Sequence, residues 1–119
     1  MKTETKLIHF SEGIELESGE KLNSFDLMVE TYGELNEGKS NAILLCHAFS
    51  GNHHAAGSSE DFGIGWWDQL VGPGKTIDTN KYFVVCCNNL GGCAGSSGPS
   101  SVDPSSQKIF GKSFPQVSV

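Results

Sequence analysis

Two short runs constrain this chain most: Ala42-Ile-Leu-Leu-Cys-His47 and Tyr82-Phe-Val-Val-Cys-Cys87. Each has the length of a β-strand and almost no polar residue, whereas a strand with one solvated face alternates apolar with polar. Uninterrupted runs of this kind belong to strands covered on both faces, as in parallel sheets. Phe25-Asp-Leu-Met-Val-Glu-Thr-Tyr32 does alternate, and turns at Gly19 and Gly33 bracket it, so it reads as a half-buried strand. Leu7–Leu16 carries an irregular apolar pattern and is expected to complete an antiparallel hairpin with it. The order predicts an α/β fold, an antiparallel hairpin followed by parallel strands with a right-handed crossover. A short helix is expected over Trp66–Val71, ended by Gly72-Pro-Gly74, with Trp66 and Trp67 anchoring it to the core. The final stretch, Phe114–Val119, reads as the approach to another helix.

A long polar loop follows each buried-type strand: Gly51–Gly65, rich in Gly, Ser and His, and Asn88–Pro104, almost all Gly, Ser, Asn and Pro. In open α/β sheets, ligands bind beyond the carboxyl ends of the strands, so these loops are the candidate functional segments. Net charge is −6 and no Lys/Arg cluster occurs, which argues against nucleic acid. No apolar stretch is long enough to cross a bilayer, and Met1-Lys-Thr-Glu-Thr-Lys-Leu7 has no signal-peptide core. The expectation is a soluble, cytoplasmic protein without membrane contact, whose four cysteines (Cys46, Cys86, Cys87, Cys93) are reduced thiols.

Four patterns could carry chemistry. His47-Ala-Phe-Ser-Gly51 ends the first buried-type strand, where acyl-transfer enzymes of the α/β-hydrolase type place one main-chain oxyanion donor. Phe49 is the expected donor, through its backbone N–H, with neighbouring Ser50 as the alternative. Gly33-Glu-Leu-Asn-Glu-Gly-Lys-Ser40 matches a phosphate-binding loop literally, but a strand instead of a helix is expected after it, and Glu34 and Glu37 would repel phosphate. Gly91-Gly-Cys-Ala-Gly95 has the spacing of a nucleophile elbow with Cys93 at its centre, yet Gly98 and Pro99 oppose the helix an elbow requires. Cys46, His47, His53, His54 and Asp61 match no zinc spacing, so no metal is expected, and the histidines are expected to meet solvent or substrate.

Phe25-Asp-Leu-Met-Val-Glu-Thr-Tyr-Gly-Glu-Leu-Asn36, Leu45-Cys-His-Ala-Phe-Ser-Gly-Asn-His-His54, Gly65-Trp-Trp-Asp-Gln-Leu-Val-Gly-Pro-Gly-Lys-Thr-Ile-Asp78 and Asn89-Leu-Gly-Gly-Cys-Ala-Gly-Ser-Ser-Gly-Pro-Ser-Ser101 occur in this order. Together they resemble the N-terminal part of the homoserine O-acyltransferases of the α/β-hydrolase superfamily. The resemblance implies residues 1–40 as the opening hairpin, and 41–119 as the start of the hydrolase domain, cut before the nucleophile elbow. It implies acyl transfer from acetyl- or succinyl-coenzyme A, as co-substrate and not bound cofactor, to the hydroxyl of L-homoserine in methionine biosynthesis. A serine in a Gly-Gly-Ser-Met-Gly-Gly elbow would take the acyl group, served by an Asp and a His. None of these three has a counterpart here, so the chain alone is expected to be inactive. Only the Phe49 main-chain donor carries over, with Phe where the family commonly has Leu. The full-length enzyme is expected to be a homodimer. The rival readings are a nucleotide-binding module built on Gly33–Ser40, and a non-catalytic remnant. The strand that carries the nucleophile should pair with Ala42–His47; without it Ile43, Leu44 and Leu45 are expected to be exposed and the chain to aggregate.

Overall fold

The computed structural model describes residues 1–118. Four strands form its main sheet: β1 (Thr3–Phe10), β2 (Phe25–Tyr32), β3 (Ala42–Leu45) and β4 (Phe83–Cys87). Their order across the sheet is β1-β2-β4-β3. β1 and β2 run antiparallel: the Gly33 N–H donates to the Lys2 carbonyl at one end, and the Phe10 and Phe25 rings stack at the other. β4 pairs antiparallel with β2 (Val84 opposite Tyr32) and parallel with β3 (Val84 opposite Ile43). The antiparallel hairpin followed by parallel strands is therefore present, with β3 at the sheet edge.

Three expectations are corrected. Trp66–Leu70 is a run of hydrogen-bonded turns and no helix, because Val71–Gly72 leaves it to pair in parallel with Ile77–Asp78. Among the described residues the one helical element is a single 3-10 turn, Gly111–Ser113. Phe114–Ser118 has no regular structure, and Val119 lies outside the described residues. β3 is not buried on both faces: Leu44 is 65% exposed while Leu45 is 6% exposed, so its apolar run has one covered and one open side. Ile43 is half-buried and packs on the core, so of the three residues expected to be exposed only Leu44 is.

The chain divides into two compact units, Met1–Lys6 with Val29–Cys87, and Leu7–Met28 with Asn88–Val119. In the first, Tyr32, Leu45, Ala55, Ala56, Val71, Val84 and Cys86 form the core, with Ile43, Trp66 and Ile77 against it. In the second, Leu22 and Phe25 are buried, and Ile14–Glu15 pairs with Lys21–Leu22 as a small hairpin. There the Asn88–Ser101 loop is tied by its own polar groups. Asn88 is 1% exposed, and its Oδ1 accepts from the Ala94 and Ser96 N–H groups. Ser96 Oγ donates to the Asn88 carbonyl and accepts from the Met28 N–H. Gly98 passes so near the Gly92 carbonyl that a Cβ there would lie 2.5 Å from its oxygen. The Gly-Gly-Cys and Ser-Gly phrases thus fold as a packed loop. Cys93 is exposed in it with no helix after it, and an elbow does not form.

Candidate active-site turn and its supports

β3 ends at Leu45, and three residues later the chain turns. The Gly51 N–H donates to the Ala48 carbonyl at 2.8 Å, closing a β-turn with Phe49 and Ser50 at its two central positions. The hydrogen bond that closes such a turn uses neither central N–H. Phe49 is fully exposed and Ser50 is exposed as well, so both predicted donors sit at the tip. His47, 9% exposed, folds back beneath the turn with Nδ1 2.7 Å from the Ala48 carbonyl. Gly51 leaves room for it: a Cβ at that position would stand 3.0 Å from the His47 Cβ and 3.1 Å from its Nδ1.

Downstream of the tip every residue from Asn52 to Gly57 except His53 is hydrogen-bonded into place. The Asn52 carbonyl accepts from Trp66 Nε1 at 3.0 Å, and its Oδ1 from the His54 N–H at 2.8 Å. Ala55 and Ala56 both donate their N–H groups to the Tyr32 hydroxyl, at 2.7 and 3.0 Å. Gly57 donates to Asp68 Oδ1 at 2.8 Å. Asp68 also pairs with Lys75, and these contacts hold its carboxyl below the usual range, the Gly57 N–H first and Lys75 second. The Gly65 backbone lies so close to Ala55 and Ala56 that a Cβ would fall 2.3 Å from the Ala56 nitrogen. The Gly65-Trp-Trp-Asp68 phrase therefore clamps the segment after the turn. Trp66 packs on the core as expected, whereas Trp67 is 42% exposed.

Under this segment lies a buried polar cluster that the sequence pattern did not suggest. Glu30, His53 and His54 are only 4–5% exposed, so the histidines do not face solvent. His54 Nδ1 lies 3.0 and 3.2 Å from the two Glu30 carboxylate oxygens, and its Nε2 is 3.2 Å from the Gly63 carbonyl. His53 Nε2 stands 4.0 Å from Glu30, and the Phe62 ring packs on the imidazole in a T-shaped pair with centroids 5.2 Å apart. Burial holds His53 below the ordinary imidazole range despite Glu30. Burial also raises the Tyr32 hydroxyl, and it pushes the Cys86 thiol up to about 12, so Cys86 is a packing residue and no nucleophile. Among the described residues no group of His, Cys, Asp and Glu is arranged to hold a metal ion. All four cysteines are free thiols.

The phosphate-loop match is overturned. Gly33–Ser40 closes on itself: the Ser40 N–H donates to Asn36 Oδ1, the Asn36 N–H to Asn41 Oδ1, and the Lys39 N–H to the Asn36 carbonyl. Those N–H groups are taken by the loop's own acceptors, and strand β3 follows where a helix would have to start.

No family model matches the chain. The homoserine O-succinyltransferase of Pseudomonas paraeruginosa is 59% identical to it over 114 residues, 94% of this chain and 30% of that protein. That of Hahella chejuensis is 60% identical over 116 residues, 96% of this chain and 30% of that protein. Among solved structures, a homoserine O-acetyltransferase from Bacillus anthracis is 36% identical with a TM-score of 0.88, over 99% of this chain and 33% of that one. Esterase E22 is 34% identical with a TM-score of 0.86, over 98% of this chain and 34% of that one. The chain thus spans 30% of the length of the curated relatives it matches.

Proposed function

We propose that this chain, a member of the homoserine O-acyltransferase family with the α/β-hydrolase fold, contributes one half of the oxyanion site to an enzyme that acylates L-homoserine. The observation that carries the reading is the Ala48–Gly51 turn at the carboxyl end of β3, whose central N–H groups are not used by the turn itself. Such a main-chain donor binds the negative oxygen that develops when a nucleophile adds to an acyl carbonyl. We assign the donor to Phe49, with Ser50 as the alternative. The nucleophilic serine, its histidine and its aspartate come from the remainder of the protein, and the strand bearing the serine pairs with the edge of β3. In this reading residues 1–40 are the opening hairpin and 41–119 the start of the hydrolase domain.

The acyl group comes from coenzyme A as a co-substrate. The relatives at 59–60% identity are named succinyltransferases, which favours succinyl over acetyl. The complete enzyme acts as a homodimer in the cytoplasm on these small molecules; among the described residues no helix is long and apolar enough to cross a membrane.

Replacing Phe49 by Pro tests the assignment. Proline is well tolerated at the second position of a β-turn, so the change deletes one N–H and keeps the turn. Turnover of homoserine by the complete enzyme should fall on the order of 10²-fold or more. A folded variant with parental turnover places the donor elsewhere, with Ser50→Pro the next to examine.

A further inference from the structure

Glu30 and Tyr32 are two residues apart on β2, so their side chains leave the same face of the strand. Both meet the segment that follows the oxyanion turn. The Tyr32 oxygen accepts from two main-chain N–H groups, so its own proton is free to be donated, and the Glu30 carboxyl lies on the same strand face. Glu30 also meets His54 Nδ1, while His54 Nε2 faces the Gly63 carbonyl. A carbonyl only accepts, so Nε2 carries a proton. The Glu30–Nδ1 contact then needs one further proton, on the imidazole or on the carboxyl. In either case the pair is neutral as a whole, which is how a carboxylate can be 4% exposed with no Lys or Arg paired to it among the described residues.

The consequence is mechanical. His54, Ala55 and Ala56 hang from one strand face through Glu30 and Tyr32, and Asn52, held by Trp66, joins them to Gly51 at the base of the turn. Among the described residues the turn is closed by the Ala48–Gly51 bond and met by His47 Nδ1 at the Ala48 carbonyl, both local to the turn. Its position is therefore set from below. Resting on the acyl-transfer reading above, we propose that Glu30 is a positioning residue for that reaction: with Tyr32 and His54 it fixes Asn52–Gly57, and through that segment the main-chain oxyanion donor of the Ala48–Gly51 turn.

The test uses three variants of the complete enzyme. Glu30→Gln keeps the reach, and its amide supplies a donor to His54 Nδ1 and an acceptor to Tyr32, so it stands in for the protonated carboxyl. Glu30→Asp keeps the charge but is one methylene too short to meet both partners. Tyr32→Phe leaves the Ala55 and Ala56 N–H groups without their acceptor. A donor misplaced by about 1 Å costs on the order of 10²-fold in rate. Glu30→Asp and Tyr32→Phe should therefore lose kcat by about 10- to 100-fold with KM for both substrates within about twofold, while Glu30→Gln stays within about threefold of the parent. Parental kcat in folded Glu30→Asp or Tyr32→Phe overturns the proposal, as does a Glu30→Gln as damaged as Glu30→Asp. If the parent transfers no acyl group from any acyl-coenzyme A to homoserine, the functional reading fails by itself. Hydrogen exchange at the Ala55 and Ala56 amides still decides the positioning: faster exchange in Glu30→Asp supports it, and parent-like protection overturns it.

Discussion

Gly65→Ala should be among the most damaging single-methyl additions in this chain. The new Cβ would stand 2.3 Å from the Ala56 nitrogen, 2.4 Å from the Ala55 carbonyl carbon and 2.5 Å from its oxygen. All three are main-chain atoms, so no side chain can swing aside, and the two segments must separate by roughly 1 Å to reach ordinary contact. That opening strains four hydrogen bonds: Gly65 N–H to the Gly57 carbonyl, Trp67 N–H to the Ala55 carbonyl, and the two N–H bonds to Tyr32. Losing two of them at about 1 kcal/mol each, plus about 1–3 kcal/mol of overpacking, gives roughly 3–5 kcal/mol. That is a large fraction of the ~5–15 kcal/mol that holds a domain folded. Two controls isolate the cause. Gly57→Ala has nothing within 4 Å of its Cβ but a φ of +84°, so it should cost only about 1–2 kcal/mol of backbone strain. At Gly38 the nearest atom is 3.7 Å away, and Ala there should be within about 0.5 kcal/mol of neutral. Denaturant unfolding of the three variants gives the ranking, and turnover of homoserine by the complete enzyme, under the proposed function, gives the functional echo. A Gly65→Ala that costs no more than Gly57→Ala refutes the close-approach argument.

The open side of β3 gives a second expectation. Leu44→Lys should reduce aggregation of the 119-residue chain, because Leu44 is 65% exposed on an edge strand. The same change should destabilise the complete enzyme by at least about 2 kcal/mol if that side is covered there, as light scattering and denaturant unfolding can compare. Acid tests the clamp on the turn. The Asp68 carboxyl lies below its ordinary value in the folded state, so its contribution is present above about pH 4 and fades as pH falls through the lowered value. Asp68→Asn should flatten that acid limb of stability; an unchanged limb would show that Asp68 does not report the clamp.

β2, β3 and β4 were legible as strands from apolar run length and alternation, but nothing in the sequence placed β4 between β2 and β3, and the uninterrupted run of β3 overstated its burial. β1 was read as starting at Leu7, although it begins at Thr3. Of its eight residues only Ile8 is even partly covered, so nothing in Thr-Glu-Thr-Lys marks a strand. The helix expected over Trp66–Val71 failed for a different reason. Asp68 is committed to the Gly57 N–H, and Val71 to a ladder with Ile77, and these tertiary bonds outcompete a single helical turn. The His53-His54 pair was expected to meet solvent or substrate because its loop is rich in Gly, Ser and His. What meets it is Glu30, more than twenty residues upstream, on the same face of β2 as the core residue Tyr32. A carboxylate two positions from a tyrosine on one strand face, together with a His-His dipeptide, was the available signal.

With the donor assigned as proposed, the site inverts the usual relation between nearness and sensitivity. A donor made of main-chain N–H owes nothing to the side chain that carries it. Phe49, fully exposed at the tip, should therefore accept Ala or Leu with little loss of turnover, and reject only Pro. The residues whose side chains matter stand one layer away: Tyr32 under Ala55 and Ala56, Trp66 on Asn52, Asp68 on Gly57, and Glu30 beneath His54. Each of these hydrogen bonds falls outside the Ala48–Gly51 turn. A scan of turnover across Ala48–Ser50 and across these four positions separates the two pictures. If side chains at the tip prove decisive while the supports are silent, the turn works through its surface and not through its backbone.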